Sequence, residues 1–425
     1  MNKRLNFIVL AVLVLLSLLT AQNYPELSSV IDSGDTAWVL ISSALVMIMT
    51  PGLSFFYGGL INKKNVISTM LQSFVALGVI SVIWVILGFS LAFGDSIGGI
   101  IGNPLTYLNF KNVGAEPNAA FSSTIPFLLF ALFQLKFAVI TPALITGSFA
   151  GRVRFRSYIL FMILFSLLIY CPLAHMTWHP DGLFRKWGVL DFAGGTVVHI
   201  SAGFAALAGA VILGKRKIVL EHPGNVPYVV LGTGLLWFGW FGFNAGSALG
   251  ANSSAVIAFA NTHMASATAM ITWLFYERMM GRKMSTVGAC IGAVVGLVAI
   301  TPAAGYVNIG NSMFIGFVAA LVSNWAIAIK NKSGVDDTLD VFPSHGIGGV
   351  VGMVLTAIFA TNVGLIYGET TTFFYQLIAL VLAAIFAFGG SFVLLKLVNL
   401  VLPMRVRPDQ EEVGLDLSQH GELIE

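Results

Sequence analysis

Two histidines stand in runs where a membrane-buried helix ordinarily carries none. His199 lies in DFAGGTVVHISAGFAALAGAVILGKR (191–216) and His345 in DVFPSHGIGG (340–349). At about 1.5 Å per residue, His199 sits roughly 12 Å beyond Asp191, near mid-bilayer depth. An ionisable group there is costly, faces the protein interior or a cavity, and is a functional candidate by default. The structural alternative is a buried histidine bonded to a neighbouring helix. If the two rings meet edge to edge, they share one proton, one nitrogen donating and the other accepting. Which does which is not legible in the sequence. A narrow apolar lumen with two such contacts suits a small, uncharged polar molecule. A metal site needs three or four ligands, and neither histidine has a carboxylate or cysteine at ligand spacing. No HExxH, nucleophile elbow or phosphate loop occurs, so neither an enzyme nor a cofactor is expected.

The elements that must hold these residues are apolar helices. Of 425 residues, 57% are hydrophobic and 10% charged, and the mean hydropathy is +0.88. That composition belongs to a polytopic helical membrane protein, with the lipid bilayer as its surroundings and no nucleic-acid partner. Residues 1–21 read as a signal peptide: Lys3 and Arg4, an apolar core from Leu5 to Leu19, and Ala21 before the expected cleavage point. Eleven apolar stretches follow within 22–402, and 403–425 form a polar tail. Loops on one side carry Lys63, Lys64, Arg152, Arg154, Arg156, Lys215, Arg216, Lys217, Arg278, Arg282, Lys283, Lys330 and Lys332, joined by Arg405 and Arg407 in the tail; the other side has Lys111, Arg185 and Lys186. The positive-inside rule then puts the mature N-terminus outside and the C-terminus in the cytoplasm, which needs an odd number of spans. Cys171 and Cys290 lie apart in apolar runs and read as packing. Gly288, Gly292 and Gly296 form one small-residue ridge, and Gly348 with Gly352 another.

The fifth stretch opens on DFAGGTVVH and the tenth on DVFPSH, a weak echo that an inverted repeat of five plus five spans would produce. For His345 to reach midplane depth, residues 333–343 must enter the slab as irregular chain, with Pro343 in the first helical turn and Asp340 as its flanking or capping carboxylate. The last stretch is long and expected to tilt.

Aromatic residues gather at the outer ends of these spans. Phe133 and Phe137 are four residues apart, as are Phe243 and Ser247, so each pair shares a helix face. On their own such stripes read as packing, and Trp178 as an interfacial anchor. In order along the chain, however, FALFQLKFAVITPALI, AHMTW, DFAGGTVVH, WFGFNAGSA, DVFPSHGIGG and GLDLSQHGE resemble the ammonium transporter family (Amt/Mep and the related Rhesus proteins), bacterial Amt type, from about Asp35 to the tail.

That resemblance implies an all-α fold of eleven transmembrane helices, a 5+5 inverted repeat plus a tilted eleventh, in the inner (cytoplasmic) membrane. It implies a homotrimer and a PII-type signalling partner at the cytoplasmic face. It assigns Trp178, Phe137 and Ser247, with Phe133 beside them, to recruitment of ammonium; Phe137 and Phe243 to a gate; and His199 and His345 to the pore that passes ammonia. Asp191 and Gln134 would shape the mouth. Lys136 departs from the uncharged residues expected beside the gate, and should face away. His179 and Asp181 replace a glycine-rich segment and read as solvated loop. An ammonium sensor that conducts little is the alternative reading; a Rhesus-type neutral-gas channel is opposed by Trp178 and Ser247.

Overall fold

The computed structural model describes residues 30–218 and 223–424, together with Val12 and Leu15; apart from those two positions, the leader read over residues 1–21 lies outside the described residues. Among the described residues eleven long helical runs follow in order. They are α1 (Ser33–Leu60), α2 (Lys63–Phe93), α3 (Phe127–Phe149), α4 (Phe155–Lys186), α5 (Gly195–Leu213), α6 (Val226–Ala248), α7 (Ser253–Met279), α8 (Thr286–Ile300), α9 (Ile309–Ser333), α10 (Phe342–Phe359) and α11 (Thr370–Val401). Among the described residues, nine are long and apolar enough to cross a membrane. The other two correspond to expected spans but differ in kind. Helix α8 is apolar but only 15 residues long, and α7 is diluted by hydroxyl and amide side chains. Several of those hydroxyls bond back to the preceding turn, Thr262 to Ala258 O at 2.6 Å and Thr268 to Met264 O at 2.8 Å, so they burden the helix little. Two short antiparallel hairpins between α2 and α3 (Ser96–Ile97 with Ile101–Gly102, Pro117–Asn118 with Ser122–Pro126) are an addition to the all-helical expectation.

Burial grades across the bundle. The apolar windows of α3 and α5 are 78% buried, whereas those of α2 and α9 are 39% buried and that of α11 is 33% buried. The outer helices nonetheless expose large apolar side chains such as Phe275, Trp325, Ile385 and Leu400. An exterior as apolar as the core is what a lipid solvent permits.

Helices apolar all round gain little from hydrophobic segregation, so close backbone approach must draw them together. The glycine ridges provide it. A Cβ at Gly296 would stand 2.6 Å from Ala265 O of α7, and one at Gly352 would stand 2.3 Å from Ala299 O of α8. One of the tightest crossings joins the two histidine-bearing helices: a Cβ at Gly203 of α5 would meet the amide nitrogen of Gly346 in α10 at 2.2 Å. Gly203 is four residues past His199, and Gly346 directly follows His345.

Both histidine helices begin alike. Asp191 precedes His199 by eight residues, and its Oδ2 accepts from the amide five residues on, Thr196, at 2.7 Å. Asp337 precedes His345 by eight residues, and its Oδ2 accepts from the amide five residues on, Phe342, also at 2.7 Å. The echo expected from Asp340 is thereby corrected, for the capping carboxylate is Asp337. Asp340 takes a left-handed φ of 56° and pairs instead with Lys330 at 2.6 Å. Each histidine then sits on a wide π-type turn, Gly195–Ile200 or Phe342–Ile347, a local widening that recurs at functional sites.

The basic end of the bundle is tied together by charged groups. Fully buried Arg152 donates to the Thr338 hydroxyl at 2.6 Å, to Ser148 O, and to Asp336 O. Burial lowers this guanidinium to about 10, which leaves it charged at neutral pH. Arg216 makes a forked pair with Asp336. The tail docks on its own chain: Arg405 holds Glu411 at 2.8 Å, and Asp416 accepts from the Ile67 and Ser68 amides at the start of α2.

A Gly203→Val substitution should separate α5 from α10, because the atom it meets is backbone and cannot rotate away. Overpacking of this kind costs about 1–3 kcal/mol. A clear fall in thermal midpoint of the detergent-purified protein is expected, and an unchanged midpoint would contradict the crossing as the point of closest approach.

Candidate functional site

At the end opposite the basic loops lies a basin of about 310 Å³ whose walls include Gln134, Phe137, Trp178, Asp191 and Ser247. Five rings then follow one another inward. Trp178 and Phe137 have centroids 5.9 Å apart, Phe137 and Phe243 4.4 Å, Phe243 and His199 5.9 Å, and His199 and His345 5.4 Å. Phe133 stands edge-on to Phe137 at 5.0 Å and is fully buried. Phe137 and Phe243 are tilted by 37° rather than parallel; Phe137 lines the basin and Phe243 lines the smaller cavity beyond it.

Asp191 organises this mouth without reaching into bulk water. Its Oδ1 accepts from the amides of Gly194 and Gly195 at 2.8 and 2.7 Å, and its Oδ2 accepts from Thr196. Three charge-assisted bonds at a helix start combine capping with a favourable dipole interaction. The peptide oxygen of Asp191 accepts from Trp178 Nε1 at 3.2 Å. That bond consumes the one indole donor, so Trp178 offers its ring face. Ser247 donates its hydroxyl proton to Phe243 O at 2.8 Å, which leaves its oxygen lone pairs to accept. The Gln134 side-chain carbonyl is buried at the basin edge with no protein partner among the described residues. Together these groups form an aromatic and acceptor-rich cup fit for a small N–H cation.

Beyond the rings the character changes. A cavity of only about 10 Å³ lies between Leu53, Ile140, Leu144, Leu236, His199 and His345. That is close to the minimum for one water-sized molecule. The histidines approach Nδ1 to Nδ1 at 3.3 Å and are 1% and 3% exposed. His199 Nε2 lies 3.3 Å from the hydroxyl of Thr301, and Trp240 stacks on the same imidazole at 5.4 Å and 21°. Neither Thr301 nor Trp240 is singled out by the sequence pattern. Trp240 lay inside the quoted WFGFNAGSA string, whereas Thr301, at the end of α8 in ITPAAG, gave no local signal. Among the described residues no cluster of His, Cys, Asp or Glu could hold a metal.

Two expectations at the mouth differ in outcome. Lys136 is half-buried and is absent from the basin wall, as a residue one helical step from Phe137 should be. His179, expected in solvent, is instead 7% exposed. It stacks on His175 at 4.3 Å and accepts from the Asp181 amide at 3.0 Å. Ring stacking and a local turn thus drew it inward. Only Asp181 is solvated, paired with Lys186 at 3.0 Å.

Known proteins share this architecture. The sequence model of the Ammonium Transporter Family matches residues 37–424. The chain belongs to that family. It is 47% identical to an ammonium transporter of Aquifex aeolicus, over 96% of this chain and 97% of that protein. An ammonium transporter of Bacillus subtilis is 44% identical, with 92% and 98% covered. Among solved structures, Saccharomyces cerevisiae Mep2 superposes with a TM-score of 0.85 at 36% identity, covering 91% of this chain and 90% of that one. A structure described as a sensor Amt protein superposes with a TM-score of 0.83 at 29% identity, covering 91% and 98%.

Removing the Asp191 carboxylate orphans three amides in a buried site. Each lost partner costs about 1–3 kcal/mol. Asp191→Ala should therefore lower the thermal midpoint in detergent more than Asp191→Asn, which keeps one acceptor oxygen. Equal midpoints for wild type and Asp191→Ala would remove the capping role.

Proposed function

We propose that this chain transports ammonium across the inner membrane, with eleven spans in a 5+5 inverted arrangement plus the tilted α11. The 15 basic residues against three support an external mature N-terminus and a cytoplasmic tail, and hence an external mouth at Trp178. The observation that carries the reading is the unbroken line of rings from Trp178 to His345, which leads from a wide polar basin to a water-sized apolar cavity.

In this mechanism ammonium rests on the faces of Trp178 and Phe137 and donates N–H groups to Ser247 Oγ. A desolvated cation–π contact contributes up to about 2 kcal/mol. Carrying the bare cation into the lumen costs several kcal/mol, so at the Phe137–Phe243 gate an N–H bond breaks, its proton passing to solvent water in the open basin, and ammonia proceeds past His199 and His345. The ammonia keeps the nitrogen lone pair that held the proton. Potassium has a similar size and shares the cation–π attraction, but it has no proton to lose and is rejected at the gate. Asp191 and Gln134 hold the mouth in shape, and Asp191 supplies the negative field that draws cations to it. A homotrimer and a PII-type regulator at the basic face complete the reading by analogy with the family. Transport is favoured over sensing because the named transporters are 44–47% identical to this chain, and the sensor structure is 29% identical.

Proteoliposomes containing the full chain should take up ammonium after a concentration jump and ignore potassium; the accompanying current reports whether the released proton follows. Trp178→Leu and Ser247→Ala should raise the half-saturating ammonium concentration about threefold to tenfold while leaving saturated flux close to wild type. His345→Glu should alter ion selectivity. Absence of ammonium flux, with binding intact, would replace transport by sensing; unchanged selectivity in His345→Glu would remove the histidine pair from the pathway.

A further inference from the structure

The hydroxyl of Thr301 has one proton and two lone pairs, and three groups surround it. Leu297 O lies at 2.8 Å and can only accept. Trp240 Nε1 lies at 2.9 Å and can only donate. His199 Nε2, at 3.3 Å, can do either. The proton goes to the closer carbonyl, completing the bond to the residue four back that buried helical threonines favour. One lone pair receives the indole N–H. What remains for His199 is the second lone pair, which only a protonated Nε2 can satisfy. An unprotonated Nε2 would face that lone pair across 3.3 Å, in an apolar enclosure where unmatched polar atoms cost most.

The consequence passes along the pair. A neutral His199 with its proton on Nε2 has a bare Nδ1, so the 3.3 Å contact requires His345 to donate from its own Nδ1. His345 Nε2 is then the bare nitrogen. It has no protein partner among the described residues, and His345 lines the small cavity.

We infer that Thr301 is a positioning residue that sets the tautomers of both lumen histidines: its single proton, committed to Leu297 O, makes His199 the fixed donor and turns the lone pair of His345 Nε2 toward the passing molecule. This assignment deepens the transport reading and takes from it the identity of that molecule as one with N–H groups. The two histidines thus have unequal work. His199 is an anchor whose nitrogens are both spoken for within the protein. His345 offers the acceptor on which an ammonia N–H docks before it moves on.

The test reads the tautomers directly. Full-length protein labelled with ring-¹⁵N histidine, reconstituted in lipid bilayers, gives solid-state NMR signals that separate protonated from bare ring nitrogens. The His199 and His345 signals are assigned by their loss in His199→Asn and His345→Asn. The expected wild-type spectrum shows His199 protonated on Nε2 and His345 on Nδ1. Thr301→Val, which keeps the volume and removes the acceptor, should mix the His199 tautomers and cut ammonium uptake about fivefold to tenfold, the loss of roughly one hydrogen bond. Thr301→Ser should retain the wild-type spectrum and flux. The opposite tautomers in wild type, or a Thr301→Val spectrum identical to wild type, would overturn the assignment. Should Thr301→Val fail to fold, the wild-type spectrum decides alone. The spectrum needs no transport, so expected tautomers in a protein that moves no ammonium would leave the assignment standing and defeat the transport reading instead.

Discussion

Two imidazoles touching inside an apolar bundle impose the constraint to which the other features respond. A ring nitrogen buried there must be matched by the protein or by the molecule that passes, because an apolar enclosure penalises unmatched polar atoms. The pair must therefore be brought to hydrogen-bonding distance by backbone that tolerates no intervening side chain, and Gly203 against Gly346 does this one turn or less from each ring. The outer nitrogen of His199 must also find a partner, and Thr301 is held there by α8 for that use. Even the two helix starts follow from the same requirement. A chain that begins a helix inside the protein leaves free amides, and a buried carboxylate eight residues ahead of each histidine takes them up.

The mouth and the lumen divide the energetic problem between them. The basin is broad, carries carboxylate and hydroxyl acceptors, and keeps aromatic faces uncovered by committing the Trp178 indole proton to Asp191 O. Such a place lowers the free energy of a cation. The histidine cavity is about thirty times smaller and walled by leucine and isoleucine, so the same cation would be unstable there. On the proposed mechanism, discrimination needs no fitted coordination shell. It arises because one ion can change its charge between the two environments and another cannot.

How much of this was legible beforehand depends on the range of each interaction. Residues placed by helical periodicity were readable: Phe133 with Phe137, Phe243 with Ser247, and the glycine ridge on α8 all lie on the faces their spacing gives. Contacts set by tertiary approach were not. Thr301 acts across 102 residues of sequence, and its neighbours ITPAAG look like any helix end. His179 reads as solvated loop in the sequence because its stacking partner, His175, is one helical turn away in a segment that turns back on itself. The span count shows a third kind of difficulty. Helix α7 satisfies its hydroxyls internally and so has more polar atoms than polar behaviour, whereas hydropathy counts only the atoms.

The carboxylate that caps the helix of His345 is legible in the spacing of the chain. Asp340 sits in DVFPSH close to the histidine, and proximity in sequence is a natural guide to capping. Yet the fifth stretch already contained the measure: eight residues from Asp191 to His199. Applied to His345, that interval lands on Asp337, not Asp340. The physical reason is that a wide first turn takes up extra residues, so the carboxylate must stand further back to bond an amide five positions on. A repeat, however faint, carries its spacing as well as its residue types. Asp340, freed from capping, is bonded to Lys330 at the basic end of the bundle, where α9 hands over to the irregular approach to α10. That ion pair bridges the end of one helix and the chain that must dip inward before the next, which gives the left-handed turn at Asp340 a partner outside its own segment.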